Sequence, residues 1–318
     1  MAVLLATYNG APFVEQQLRS LKDNTTPFVL HWLDDHSIDH TREAVRDVAL
    51  SIGINLIEWH QPRHEGLPGA FFRLLECVAA DIYLFCDQDD IWQPGKIDAT
   101  VGNLLPDTDS PVLCFSDPIL FRDAAPDVCH RALELLGTSV DVAMQESRVF
   151  TTVVGYGHTQ GFTRKLRDIF LAHNHTARQY AFMHDMWMYA IAVAAGSARM
   201  LSDVPTAFHR LHSSNASGNL ASWKGSGTGR ITVTWQQLWL IRQLFARHAK
   251  GFILASSTLP SGPKLKQLLE TALLVSRLDR RHSPFTLVRL VRHGVMWPNR
   301  RLAIKLAASL LWSGAHPS

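Results

Sequence analysis

The chain has 318 residues, 47% of them hydrophobic and 19% charged, with a formal net charge of +3. This balance excludes an intrinsically disordered chain, and so small a charge gives no ground for a nucleic-acid partner. Cys77, Cys86, Cys114 and Cys129 form no CxxC pair, and Cys86 and Cys114 lie in apolar runs, so reduced core thiols are expected.

Residues 2–7 (AVLLAT) form an apolar run, and Asn9-Gly10 marks a turn before Pro12, which suits the first position of a helix through FVEQQLRSL. A second run, Phe28 to Leu33, ends in Asp34-Asp35, and Ser37 or Asp39 can cap the helix TREAVRDVALSI. Residues 54–58, the stretch AFFRLLECVA and the run Ile82 to Cys86 continue the alternation. The pattern predicts an α/β fold with a mostly parallel sheet flanked by helices. In such a sheet ligands sit beyond the carboxyl ends of the strands, where Thr7-Tyr8-Asn9, Asp34-Asp35 and Asp87-Gln88-Asp89-Asp90 fall.

Past residue 106 the pattern loosens: VLCFSD reads as another strand, and 126–150 as a helical or irregular insertion on the acceptor side. Four segments from residue 235 onward have helix-like apolar spacing. The expected division is a main domain over 1–221, a Gly/Ser-rich loop over 222–230 and a C-terminal helical appendage over 231–318. No segment holds the ~20 uninterrupted apolar residues that cross a bilayer, and the N-terminus lacks the pattern of a secretory signal. A cytoplasmic location is therefore expected. Residues 277–305 carry eight Lys/Arg against one acid, with Trp297 among them, which suggests peripheral contact with an anionic membrane face, a subunit contact or a solvated helix face.

The segment LFCDQDDIWQPGK discharges three carboxylates at the end of an apolar strand. Carboxylates crowded in this way call for water, basic groups or a divalent cation, and Mg²⁺ or Mn²⁺ with a substrate diphosphate is a natural solution. A solvated acidic turn capping the next helix is the other reading of such a cluster.

Several segments in order resemble the family 2 glycosyltransferases of the GT-A fold, especially the rhamnosyltransferase-like branch: VLLATYNGAPFVEQQLRSL, LDDHSIDHT, FCDQDDIWQPGK, GHTQGFTRKL, HDMWM and FHRLHSSNASG. The resemblance implies an inverting transfer of a sugar, such as rhamnose, from a nucleoside-diphosphate donor to a saccharide or lipid-linked acceptor in cell-surface polysaccharide synthesis. It places Thr7, Tyr8 and Asn9 along the nucleoside, Asp34 or Asp35 on the base, and Asp87 with Gln88 near the ribose. Asp89, with Asp87 and His212, would hold the divalent cation, and Asp185 would be the catalytic base. Asp90, Trp92, His184 and Arg210 would touch the acceptor, the donor sugar or a phosphate.

Two departures stand out. Gly69-Ala70-Phe71 replaces an Arg-Asn-Phe sequence, and His36 stands where glycine is usual, so a turn needing positive φ must accommodate a side chain. The competing reading is a non-catalytic nucleotide-sugar-binding component of an assembly complex. An aspartyl-phosphate phosphatase is weaker, because no DxDxT-like motif is present.

Overall fold

A computed structural model describes residues 1–279, apart from 124, 136, 153, 205, 213–221, 225–229 and 233–234. The later helix-like segments and almost all of the basic C-terminal stretch lie outside the described residues.

In chain order the elements are β1 (Ala2–Thr7), α1 (Val14–Ser20), β2 (Val29–Asp34), α2 (Thr41–Ile52), β3 (Leu56–Trp59), α3 (Gly66–Cys77), β4 (Ile82–Cys86), β5 (Ile91–Trp92) and α4 (Lys96–Leu104). There follow β6 (Val112–Ser116), β7 (Ile119–Arg122), β8 (Ala125–Arg131), α5 (Ala132–Leu135), α6 (Val140–Ala143), β9 (Gly161–Thr163), α7 (Arg164–Ala172), α8 (Asn174–Tyr180) and α9 (His184–Ala195). The last are β10 (Ser197–Leu201), β11 (Ala207–Arg210), β12 (Ser222–Lys224), β13 (Arg230–Thr232), α10 (Trp235–Ala255) and α11 (Pro263–Val275).

Seven strands form the main sheet in the order β10-β6-β9-β4-β1-β2-β3, with β9 antiparallel to both neighbours and every other pairing parallel. A second sheet, β5-β11-β7-β8, adjoins it through the chain that leaves β4. Every residue of β1 and β4 is buried, as expected of parallel strands covered on both faces. The two-residue period sorts their side chains. Leu4, Tyr83 and Phe85 join one apolar cluster with α3 and α9, while Val3, Leu5 and Leu84 join another with α1, α2 and α4.

Two local features differ from the sequence reading, and a third shows how the turn at His36 is accommodated. Helix α3 begins at Gly66, ahead of the apolar stretch, because the Asp35 carboxylate accepts from Glu65 N at 2.9 Å and Gly66 N at 2.8 Å. Part of the 126–150 insertion is strand β8, at the edge of the second sheet, where Pro126 withholds no hydrogen bond from a central ladder. His36 does take positive φ, 66°, and its Nε2 lies 3.0 Å from Gln61 O, so the turn keeps its shape with a side chain in place of glycine.

Helices α10 and α11 share the apolar cluster of the main sheet: Leu238, Ile241, Phe245, Phe252, Leu268 and Val275 pack in one core with Phe72, Trp187 and Ile191. No helix among the described residues is long and apolar enough to cross a membrane. Burying each large apolar side chain contributes about 1.5–3 kcal/mol, so six of them match the ~5–15 kcal/mol net stability of a domain. A chain ending at residue 234 is therefore expected to lose its cooperative thermal transition, as read by circular dichroism; an unchanged melting curve would establish residues 1–234 as an independent unit.

Candidate active site

The carboxyl ends of β1, β2 and β4, the start of α9 and the segment after β11 meet at one rim of the main sheet. Two polar networks there hold the loops in shape. Thr7, only 1% exposed, donates its hydroxyl to Asp34 Oδ1 at 2.9 Å and receives Trp32 Nε1 at 2.9 Å. Asp34 also accepts from Ser37 N and Oγ and from Arg42 Nε. Burial works against its charge, but these hydrogen bonds outweigh it and hold the carboxyl below its ordinary range.

Asp35 is enclosed by Gln61, His64 and the two backbone N–H groups at the start of α3. A carboxylate offers about four acceptor sites, and both aspartates use theirs within the protein. Asn9 N donates to Ser37 Oγ, and Asn9 Oδ1 accepts from Ile38 N. Tyr8 is open to solvent in this part of the rim, 44% exposed, and its ring lies 4.4 Å from that of His64.

Gln88 joins the first loop to the acidic one. Its Oε1 accepts from Tyr8 N at 2.9 Å and its Nε2 donates to Tyr8 O at 3.0 Å. Gly10 leaves room for this, since a Cβ there would stand 2.1 Å from Gln88 Oε1.

The acids of DQDD then have three different fates. Asp89 Oδ2 lies 2.9 Å from His212 Nε2, and the His212 ring stacks on Phe13 at 4.4 Å. Asp90 is fully buried between His209 Nδ1 at 2.8 Å and His158 Nδ1 at 2.9 Å, and also accepts from Arg210 N at 3.1 Å. Burial opposes its charge, yet the two imidazoles hold it well below the carboxylate range. Asp87 is partly open, with its Oδ2 3.4 Å from His158 Nδ1 and its Oδ1 buried without a hydrogen-bond partner. Burial raises its carboxyl against the pull of His158. Burial also opposes the charge of His158, but Asp90 and Asp87 push its imidazolium up to about 10.

Asp185 stands at the first turn of α9, 6% exposed, with Oδ2 accepting from Gly157 N at 3.1 Å and Oδ1 from Met186 N at 2.6 Å. Burial, reinforced by the charge of Asp87, pushes its carboxyl up to about 7 despite those bonds. The structure thus brings Asp87, Asp89, His212 and Asp185 to one rim.

It removes three predicted contacts from it. Asp90 (0% exposed), Trp92 (2%) and His184 (1%) are interior and cannot meet a sugar in this state. Trp92 packs in the apolar cluster beneath Lys96, whose Nζ lies 3.5 Å from the ring centroid. His184 stacks on Phe71 at 4.1 Å, and burial pushes its imidazole down to about 3. Arg210, 4% exposed, donates to Asp89 O at 3.0 Å and pairs with Asp123, so it ties the acidic loop to the second sheet. At Gly69 a Cβ would meet Glu65 Cβ at 2.6 Å, so the departure from Arg-Asn-Phe fits the packing of this helix.

Sequence reasoning missed His158, His209, Gln61 and His64. GHTQGFT marked the neighbourhood of His158, but the acids it serves are far away in the chain.

The donor set of Asp87, Asp89 and His212 suits a divalent cation: carboxylate oxygens favour Mg²⁺ and Mn²⁺, and the imidazole favours Mn²⁺ over Mg²⁺. Among the described residues, the ligand atoms that lie within 4.8 Å of one another are those of Asp90, His158 and His209, whose N···O separations of 2.8–2.9 Å are those of direct contact between the groups.

Comparison with known proteins bears on the fold and on the N-terminal part of the chain. Residues 2–119 match the model for glycosyl transferase family 2. The dTDP-rhamnosyl transferase RfbG of Shigella flexneri is 26% identical over 231 residues, covering 69% of this chain and 75% of that protein. The fold is shared with the mannosyltransferase PcManGT of Pyrobaculum calidifontis, solved with GDP-Man and Mn²⁺ (TM-score 0.58, 18% identity, 98% of this chain and 86% of that one). It is shared too with TarS of S. aureus, solved with UDP (TM-score 0.55, 12% identity, 98% and 87%). Motifs, fold and relatives converge: residues 2–119 match glycosyl transferase family 2, the chain shares the GT-A fold of the solved transferases, and it is similar to a dTDP-rhamnosyl transferase.

Proposed function

We propose that the enzyme transfers a sugar, with rhamnose as the first candidate, from a nucleoside-diphosphate donor to a saccharide or lipid-linked saccharide acceptor, with inversion at the anomeric carbon. The observation that carries this reading is the pairing of a buried carboxyl poised near 7, Asp185, with an acidic cluster suited to a cation on the same rim. The similarity to the dTDP-rhamnosyl transferase of Shigella supports the sugar, and the Mn²⁺ bound with GDP-Man in the Pyrobaculum enzyme supports a metal dependence.

Asp87, Asp89 and His212 are the residues that would hold the cation. When bound, Mn²⁺ or Mg²⁺ supplies Lewis-acid stabilisation to a departing diphosphate. Tyr8 and His64 offer the exposed ring surface for the nucleoside, while Thr7, Asn9, Asp34, Asp35 and Gln88 shape the loops beneath it. Asp185 takes the proton of the acceptor hydroxyl as its oxygen bonds to the anomeric carbon. The bond from that carbon to the diphosphate oxygen breaks, and the diphosphate leaves with the electron pair. Gly157 N and Met186 N aim the Asp185 carboxylate through its two oxygens.

Asp185→Asn is expected to lower kcat by ~10²- to 10⁴-fold while leaving donor binding in place. Equal turnover by the variant would remove Asp185 from the mechanism. In the wild type, kcat should fall as pH drops through about 7, where Asp185 takes up its proton and ceases to be a base. A kcat that stays flat between pH 6 and 8 would contradict the assignment.

The same shift has a stability consequence. Asp185 is raised from 3.8 to about 7 on folding, so the unfolded chain ionises first. The contribution of Asp185 to stability therefore declines as pH rises from about 4 to 7, and its penalty is fully present above 7. The Asn variant should escape it, so its melting temperature at pH 8 should equal or exceed that of the wild type. A thermal-shift panel of nucleotide sugars with Mn²⁺ or Mg²⁺ identifies the donor, since a ligand at a hundredfold excess over its Kd stabilises by about 2.7 kcal/mol. No shift with any nucleotide sugar would overturn the donor reading.

A further inference from the structure

The segment from Gly155 to Gln160 touches Asp87, Asp90 and Asp185. His158 is 1% exposed, and its Nδ1 lies 2.9 Å from Asp90 Oδ2 and 3.4 Å from Asp87 Oδ2. Its ring is parallel to that of His209, at 7° and 4.9 Å between centroids, and His209 reaches the other oxygen of Asp90. The preceding residue, Gly157, donates its N–H to Asp185 Oδ2 at 3.1 Å. No side chain fits there, because a Cβ on Gly157 would stand 2.6 Å from His184 Nε2. Gln160 closes the turn, with Nε2 donating to Asp185 O at 3.1 Å and to Gly155 O at 2.8 Å.

From this arrangement we infer that His158 is a positioning residue for Asp87, a buried strut that braces the Asp87 carboxylate against the fixed Asp90–His209 pair. Through the adjoining Gly157 N–H, the same turn sets the position of Asp87 relative to Asp185. The inference rests on the proposed role of Asp87 at the cation and deepens it. A carboxylate ligand left to rotate binds its ion in fewer of its rotamers. Loss of a hydrogen-bond partner behind a metal ligand typically costs about 10- to 100-fold in metal affinity or activity.

Two variants test the strut. His158→Phe keeps a ring against His209 and removes the N–H, whereas His158→Asn keeps an N–H donor near the position of Nδ1. Turnover is measured against Mn²⁺ concentration, with the donor that stabilises the wild type best, and the melting temperature of each variant is recorded without metal. The Phe variant should need about 10- to 100-fold more Mn²⁺ for half-maximal activity, and the Asn variant should recover most of that loss. A merely structural role would lower the melting temperature and leave the Mn²⁺ dependence where it was, which would overturn the inference.

A stoichiometric zinc ion in the purified wild type, absent from the Phe variant, would also overturn it, by making Asp90, His158 and His209 a closed metal site. Lack of metal-dependent turnover in the wild type would overturn the functional reading itself, and the strut with it. If the Phe variant does not fold, the wild type answers by NMR. The Nδ1–H resonance of His158 should shift when Mg²⁺ and the matching nucleoside diphosphate are added together, and an unmoved resonance would overturn the inference.

Discussion

The site depends on gathering Asp87, Asp89, Asp90 and Asp185 at one rim of the sheet, where little water reaches them. Two unit charges 4 Å apart interact by about 4 kcal/mol at an effective dielectric near 20, so these acids cannot all stay ionised and uncompensated. Each is relieved in a different way. Asp90 is clamped by the imidazoles of His158 and His209 and by the Arg210 N–H, and its charge never leaves the interior. Asp89 leans on His212, Asp87 shares His158 with Asp90, and Asp185 keeps its proton up to about neutral pH. The division of labour follows from depth. The deepest acid is a foundation, the partly open pair faces the rim, and the one at the start of α9 is the acid that burial leaves protonated to about neutral pH.

How much of this could be read beforehand depended on the range of the interaction concerned. The parallel sheet was legible because AVLLAT and IYLFC are continuous apolar runs, and a strand buried on both faces needs no other signal. The start of α3 was not, because its cap comes from Asp35, on a loop thirty residues earlier. Strand β8 was hidden by Pro126 and Asp127, residues poor in strand propensity that an edge position tolerates.

The same distinction governs the site. DQDD announced a polar strand end, and the resemblance supplied roles, but adjacency in sequence says nothing about depth. Asp89 and Asp90 are neighbours, yet one faces the partly exposed His212 and the other is sealed. Gln88 resembled a nucleotide contact and proves to be the clasp between two loops. His158 and His209 could not be singled out among sixteen histidines until the fold set them face to face.

The placement of Asp185 depends in turn on the C-terminal helices. The chain reaches α9 through residues 179–183, and α10 holds that approach at two points. Arg247 donates from Nε to Gln179 O at 2.9 Å, and His248 Nδ1 accepts from Phe182 N at 3.1 Å. His248 is fully buried, meeting Trp187 of α9 edge-on at 5.3 Å, and burial pushes its imidazole down to about 3. It therefore stays neutral and remains an acceptor, since a protonated ring would turn a donor toward the Phe182 N–H. With α10 fixing the approach and the Gly157 turn fixing the carboxylate, Asp185 is braced from both sides. A core that α10 and α11 share with the sheet is thus also the support on which the orientation of Asp185 depends.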